Sequence, residues 1–501
     1  MNARIAVVGG GISGLSAAHR LRTLLPDARI TLLERADRLG GVLRTVELAG
    51  RPFDVGAEAF LVRRPELTEL AAELGLGFVH PTAAAPTVRA GGRTAALPTA
   101  TLMGVPGSAA RLDEVLSPVG LARIVAERHR PLRWGAGEDV VLGTLLRSRL
   151  GDQPVDRLAD PLLGGVYAGR VDALGLRATI PQLALALDAG ASSLTAAVDS
   201  VLAAQHASSQ APAGEQPVQL DERAARTASA GVVSPAGGAP SPQPVFGAFP
   251  GGYRELVDAL TAACAAEIRL GTTVRELART ATGWRLTLGP TTAPEALDVD
   301  AVVLAVPAPA AARLLTVVAP GAACAAGTIE LASSAVVALA YRAADAATLP
   351  TTSGILVASD ERLSVKAVTH SCRKWAHLAT ADGILRIRAS LGRFGEVATL
   401  QADDATLVAR ARADLVELAG ITAAPVDVVV QRWGGGLPQY ASGHLDRVRA
   451  VEDGLPDGIA VAGAALHGVG VPACVGTARR AAQRVAHSLT TTAAAGGVTA
   501  P

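Results

Sequence analysis

The sequence predicts an α/β domain joined to an α+β domain, with a helical subdomain alongside. Three observations carry that prediction. The chain opens on a short apolar strand that runs into a glycine-rich turn and a helical pattern. A strand, a glycine turn and a helix recur at its far end, over 458–489. Between them lie β-rich runs whose patterning suits a mixed, largely antiparallel sheet. At 501 residues the chain exceeds one ordinary core, and 50% hydrophobic with 18% charged residues fits large buried surfaces.

Arg4–Val8 reads as a buried strand leading into Gly9-Gly10-Gly11-Ile12-Ser13-Gly14, which opens a helix through Leu15, Ala18 and Leu21. In such a turn Gly9 makes the bend, Gly11 admits a pyrophosphate to the backbone, and Gly14 lets helix and strand pack. The helix N-terminus then offers free N–H groups and partial positive charge to phosphate. A second strand, Arg29–Leu33, ends on Glu34, 20 residues past Gly14, where a carboxylate can hold a ribose hydroxyl pair. The unit is a Rossmann-like dinucleotide site. Gly40-Gly41 follows the acid, and Asp54-Val55-Gly56-Ala57-Glu58 returns to the site. This pattern resembles the two-glycine signature of the flavoproteins that include amine oxidases, phytoene desaturases and protoporphyrinogen oxidases. The resemblance makes the dinucleotide FAD rather than NAD.

Composition narrows the partners. A formal net charge of +1 and 3% aromatic residues give no case for nucleic acid. The four cysteines (Cys264, Cys324, Cys372, Cys474) are far apart, with no metal-ligand spacing, so neither a metal site nor a disulfide framework is expected. No secretory signal opens the chain, and apolar runs such as 302–312 are broken by Pro307 and Pro309, so no transmembrane segment is expected. A cytoplasmic protein is the expectation, with peripheral contact at a membrane surface left open.

Along the chain, Pro65–Gly75 is an amphipathic helix closed by glycine, and Val88–Leu97 a hairpin around Gly91-Gly92. Helical patterns follow at Pro118–Arg130 and Val140–Leu150. Asp160–Pro181 (DPLLGGVYAGRVDALGLRATIP) is dense in glycine, which suits close approach of backbone to something flat or bulky; spacing alone favours a loop between two helices. Residues 203–245, rich in Ala, Ser, Pro, Gln and Gly, read as a flexible insertion. A helix is expected over Tyr253–Ala266 and a strand over Arg269–Leu277, then strands at Trp284–Leu288 and Ala301–Val306. Short β-rich runs occupy Ser334–Tyr341, Gly354–Val357, Val365–Thr369 and Ile384–Leu391. A helix over Asp403–Ala419 is capped by Asp403 or Asp404, and Val426–Trp433 is a strand. The closing strand, 458–462, enters Gly463 and a helix through Cys474 to Leu489; it should meet the first strand in one sheet.

Four stretches sharpen the resemblance: GGGISGLSAAHRL with ERADRLGG; DPLLGGVYAGRVDALGLRATIP; FGAFPGG before a helix; and RWGGGLPQY with GAALHGVGVPACV. Together they resemble the oxygen-dependent porphyrinogen oxidases, in particular the coproporphyrinogen III oxidase branch typical of Gram-positive bacteria. The resemblance implies an FAD domain assembled from 1–85, 246–306 and 430–490. It implies a helical and substrate-cavity region over 86–202 and a substrate-binding sheet domain over 307–429, with the insertion at 203–245 and a disordered tail at 491–501. FAD, bound non-covalently, would be held by Gly9 to Gly14, Glu34, Arg35, Gly41, Val42, Gly56, Ala57, Glu58, Ala59, Val274, Trp433, Val469, Gly470 and Val471. Gly165 would lie against a pyrrole ring. The implied reaction takes a porphyrinogen to a porphyrin with molecular oxygen as acceptor and hydrogen peroxide as product, in haem synthesis beside other enzymes of that pathway.

No general base is assigned; His467 is read as shaping the flavin site, and Cys474 as a buried thiol rather than a covalent flavin link. Substrate choice should rest on carboxylates, so Arg63 and Arg64 are candidate propionate partners. The chain's only lysines, Lys366 and Lys374, fall in one short β-rich stretch and are assigned to a carboxylate-facing wall or its support. The alternatives are a protoporphyrinogen IX oxidase, an amine oxidase or desaturase on the same scaffold, and a flavin-binding partner protein without activity.

Overall fold

The computed structural model describes residues 3–210, 244–379 and 381–496. A five-stranded parallel sheet runs in the order Glu267–Arg269, Arg29–Leu33, Arg4–Val8, Ala301–Leu304, Ile459–Val461. The first and last strands thus share one sheet, as expected, with Ala301–Leu304 between them. Strands of a parallel sheet are covered on both faces, which is why these read as apolar runs rather than as alternating ones. Helices Ile12–Leu24 and Val471–Gly496 pack together on one face through Leu15, Ala18, Val475 and Ala482. A three-stranded antiparallel sheet (Val274–Arg279, Trp284–Leu288, Glu295–Val299) covers the other face through Leu277, Trp284 and Leu286.

A seven-stranded mixed sheet forms the second body. Its order is Asp427–Pro438, Leu331–Arg342, Ile384–Leu391, Val365–Thr369, Gly354–Val357, Pro86–Ala90, Arg93–Ala96, antiparallel except where 354–357 meets 86–90. Alternation decides its two faces. Val337, Leu339 and Tyr341 face the helix Asp404–Ala419, whereas Val336, Ala338 and Ala340 face the nucleotide-binding body beside Phe53, Val55 and Trp375. The sheet takes in the 86–96 hairpin and the 427–438 strand, on either side of the 307–429 segment expected to build it.

Helices between 118 and 210 pack around Leu146, Leu163, Tyr167 and Leu183. Their polar lock is Glu127, fully buried, which accepts from Arg149 (2.8 Å), from the N–H groups of Leu194 and Thr195, and from the Thr195 hydroxyl.

Four local expectations are corrected. Asp160–Tyr167 is helical, and a π-helical turn at Val155–Ala159 leads into it; Gly164 and Gly165 are tolerated because Leu163 and Tyr167 anchor that helix in the core. The helix Leu194–Gln210 extends into the expected insertion, its alanines favouring the continuation, and 211–243 lie outside the described residues. The single strand expected over 269–277 is two, in different sheets, divided at Gly271, whose φ of 61° is left-handed. The final helix reaches Gly496, into the expected tail, and 497–501 lie outside the described residues. Among the described residues no helix is long and apolar enough to cross a membrane.

Replacing Glu127 by Ala would strand Arg149 in the core. A loss of about 3 kcal/mol is expected, read as a fall in the urea or thermal midpoint.

Candidate functional site

The opening turn is shaped by its own backbone. Gly9 has φ +107°, and a Cβ there would meet the Ala305 carbonyl oxygen at 2.3 Å. At Gly14 a Cβ would lie 1.8 Å from the Gly9 carbonyl oxygen, so this helix packs on this strand only with glycine. Gly11 is different: its nearest neighbour to a Cβ is Gly41 Cα at 3.8 Å, leaving the approach to the helix N-terminus open. No side chain caps that helix, and its first N–H groups carry the positive end of the dipole. Glu34, at the end of its strand, accepts from Gly10 N (2.7 Å) and Ala36 N (2.8 Å). The second glycine pair docks on the turn, Gly40 N donating to Gly10 O at 2.8 Å. Gly56 carries the returning loop under Val42, where a Cβ would be 1.9 Å from the Val42 carbonyl oxygen. An acid at the strand end, an uncapped helix and a cradle with no side chain at Gly11 fit a dinucleotide.

The 54–59 loop is then tied to the seven-stranded sheet. Trp433 Nε1 donates to Val55 O (2.9 Å) and Arg388 to Asp54 O (3.3 Å), while Arg44, whose carbonyl accepts from Val55 N, donates to Gln431 (2.6 Å). Glu58 is buried among an indole N–H from Trp375, the Lys374 ammonium (3.4 Å) and the Arg388 guanidinium (3.9 Å). Burial alone would raise this carboxyl, but Lys374, Arg388 and the Trp375 N–H outweigh it and hold it below its ordinary value. Two residues expected in different roles, Glu58 for cofactor and Lys374 for substrate, are therefore partners. Lys374 also lies over the Phe246 and Trp375 rings, so its charge is spent on the loop rather than offered to open space.

The glycine-rich 160–181 stretch meets the 439–443 turn. Gly175 N donates to Tyr440 O (2.7 Å), and Gln439 donates to Tyr167 O (2.8 Å). Cβ atoms at Gly169 and Gly175 would strike Gln439 (2.5 Å) and Ser442 (2.7 Å). For these two the close neighbour is the chain itself. Gly165 is exposed, with nothing within 4 Å of a Cβ, and so presents bare helix backbone to open space. Tyr440 carries the turn onward: its hydroxyl donates to Ala464 O (2.6 Å) and accepts from Gly468 N (2.8 Å), positioning Val469, Gly470 and Val471 at the start of the last helix.

The remaining candidates separate clearly. Val274 is buried beside Leu33, next to Thr272, whose N–H donates to Glu34 O (2.8 Å). Arg35 and Arg63 are exposed, while Arg64 is paired with Glu66 at 2.8 Å and is not available to a propionate without breaking that pair. His467 pairs with Glu452 at 2.8 Å. Cys474 is buried and its thiol is pushed up to about 11 by that burial, with Ser13 bonding to it. Lys366 remains unpaired by any carboxylate among the described residues. Arg388 was not anticipated; the alternation of Arg386 and Arg388 in the apolar strand ILRIRASL was the available signal. Among the described residues no His, Cys, Asp or Glu group could hold a metal.

An uncapped dinucleotide cradle docked by one loop onto a large mixed sheet defines the two-body architecture of a flavin oxidoreductase. The family model for flavin-containing amine oxidoreductases matches residues 12–486. A Mycobacterium tuberculosis protein named coproporphyrinogen III oxidase is 44% identical over 494 residues, covering 96% of this chain and 97% of its own. Its Mycobacterium leprae namesake is 45% identical over 478 residues, at 95% and 96% coverage. The crystal structure of an Exiguobacterium protein provisionally described as a protoporphyrinogen oxidase superposes with a TM-score of 0.77 at 27% identity, covering 97% of this chain and 99% of its own. The chain belongs to the flavin-containing amine oxidoreductases, in the branch whose curated members are named coproporphyrinogen III oxidase. It is a flavin enzyme.

Asp54 gives a pH test of this architecture. Burial pushes its carboxyl up to about 7, against hydrogen bonds from Thr45 and Tyr253 N. The folded protein therefore holds a proton that the unfolded chain releases near 3.8, and stability falls as pH rises between those values. In Asp54→Asn that decline should flatten, as read from urea midpoints at about pH 5 and about pH 7.5.

Proposed function

We propose that this chain is an FAD-dependent oxidase that converts coproporphyrinogen III to coproporphyrin III, with oxygen as acceptor and hydrogen peroxide as product. The observation that carries the reading is full-length similarity at 44% identity to a protein of that name. The geometry supports it. The Gly9–Gly14 turn and the helix start would receive the diphosphate, Glu34 a ribose, and the loops at Gly41-Val42 and Gly56–Ala59 the flavin half, with Trp433 and Val469–Val471 closing the site. The absence of a Cβ at Gly165 leaves room for a flat macrocycle against helix backbone.

Bound flavin supplies hydride acceptance from the methylene bridges of the substrate. The chain's part is orientation, exclusion of water and countercharge; of the three protons lost with three hydrides, two leave pyrrole N–H groups and one leaves the fourth methylene bridge, all passing to solvent, and no side chain is assigned as a general base. Cys474, buried and held as a thiol, supports non-covalent attachment. All four tyrosines are buried in packing, which argues against the aromatic cage of an amine oxidase. On this reading the enzyme works in the cytoplasm, passing its porphyrin to other haem-pathway enzymes.

Protoporphyrinogen IX is the second candidate substrate, favoured by the description of the Exiguobacterium structure. A side-by-side assay of both porphyrinogens, following porphyrin fluorescence and peroxide, separates them. Preference for the tetracarboxylate is expected, and preference for the dicarboxylate would overturn the first choice. Gly165→Leu should lower kcat/KM roughly tenfold or more, a loss of at least about 1.4 kcal/mol in transition-state stabilisation, with flavin absorbance unchanged.

A further inference from the structure

The charges on the nucleotide-facing side of the sheet are mostly paired. Lys374 and Arg388 share Glu58, Arg170 is bonded to Glu396 at 2.6 Å, and Asp160 is taken by Val171 N and the Ser359 hydroxyl. Among the described residues, Lys366 and Arg393 are cations with no carboxylate partner. Lys366 sits at an irregularity in strand Val365–Thr369, between the partners Val365 and Ala367 of the neighbouring strand's register, where a bulge re-aims a side chain. Arg393 lies on the loop after strand Ile384–Leu391. That loop is fixed by its backbone: Phe394 N donates to Ala168 O (2.8 Å), at the end of the Gly165 helix, and Arg393 N donates to Glu396 (3.1 Å). Neither the Lys366 ammonium nor the Arg393 guanidinium has a carboxylate in ion-pair reach among the described residues, and both side chains are only partly exposed. The strand register pairs Val365 with Leu391, two residues before Arg393, and the charge of Arg393 acts on the Lys366 ammonium. Two half-buried like charges left unpaired beside each other cost stability, and an anion placed between them removes that cost.

Resting on the coproporphyrinogen reading, we propose that Lys366 and Arg393 form a carboxylate clamp for a substrate propionate, beside the open helix face at Gly165, and that this clamp sets selectivity for the more carboxylated porphyrinogen. Lys374, committed to Glu58, is excluded from it. The electrostatics agree. Burial first, then the charges of Arg393 and Arg388, bring the Lys366 ammonium down to about 7, with Glu396 alone opposing; a bound carboxylate would restore its charge.

The test uses the flavin-loaded enzyme and its Lys366→Gln, Arg393→Gln and Lys366→Arg variants. With coproporphyrinogen III each Gln variant should raise KM about tenfold with kcat within about twofold, while KM for protoporphyrinogen IX moves less. Coproporphyrin III affinity, read by fluorescence quenching, should fall in parallel, and affinity for its tetramethyl ester should not. In the wild type that affinity should weaken from about pH 6 to about pH 9, and in Lys366→Arg it should stay flat. Unchanged KM and coproporphyrin affinity in both Gln variants overturn the clamp, as does a loss confined to kcat and flavin content. A wild type that binds coproporphyrin through these residues yet does not oxidise coproporphyrinogen keeps the clamp and overturns the assigned reaction. A flat wild-type pH profile overturns the clamp even where a Gln variant fails to fold.

Discussion

One largely enclosed carboxylate, Glu58, sits at the apolar and polar seam that joins the two bodies of this protein. Glu58 arrives on the loop that Gly56 threads beneath Val42, and meets Trp375, Lys374 and Arg388 from the opposing sheet. A charge out of water is costly unless its partners are close and well placed, so the loop has one position in which Glu58 is satisfied. Trp433 and Arg388 then bond the neighbouring carbonyls of Val55 and Asp54, extending the fit from a point to a seam. The flavin cradle lies on one side of that seam and the sheet face carrying Lys366 on the other. Their separation is therefore set by the seam as a whole, its ionic contact at Glu58 seated beside the apolar packing of Phe53 and Val55 on Val336 and Ala338.

Glycine does several different jobs here, and only the structure tells them apart. Gly9 and Gly14 bring helix and strand into backbone contact; Gly169 and Gly175 do the same for the helical region and the 439–443 turn. A Cβ at Gly11 would make only an ordinary contact with Gly41, and one at Gly165 would meet nothing within 4 Å, so each leaves space where a ligand is expected. A glycine crowded by its own chain is architectural. One with open space in front of it in an ordered element marks a surface that a side chain would obstruct.

Much of the fold was legible because period and punctuation carry it. The strands Arg4–Val8, Arg29–Leu33, Gly354–Val357, Val365–Thr369 and Ile384–Leu391 lie where alternation and apolar runs place them, and Asp403 caps its helix through Thr406 N as its residue type suggests. The turn from Gly9 to Gly14 was readable because its spacing follows from local backbone geometry. The Glu58–Lys374 pair was not, since nothing local to either residue reports on a partner so distant in sequence. The same holds for Arg393, which looks like any loop arginine until Ala168 is seen to hold its neighbour. The 160–167 helix was misread because glycine lowers helix propensity, and the core contacts of Leu163 and Tyr167 that override it are tertiary.

The order of strands in the parallel sheet bears on how the chain is made. The first two strands emerge from the ribosome early, Glu267–Arg269 and Ala301–Leu304 join them past the middle of the sequence, and Ile459–Val461 completes that sheet much later. Until Ala301–Leu304 is made, one edge of Arg4–Val8 has no neighbour, and until the last helix is made, the face of Ile12–Leu24 that packs on it is bare. Closure of this domain thus waits on contacts between segments far apart in sequence. Such closure is slow, and it leaves apolar surface uncovered until the later segments arrive. Production of the protein should therefore be sensitive to growth temperature and to chaperone supply.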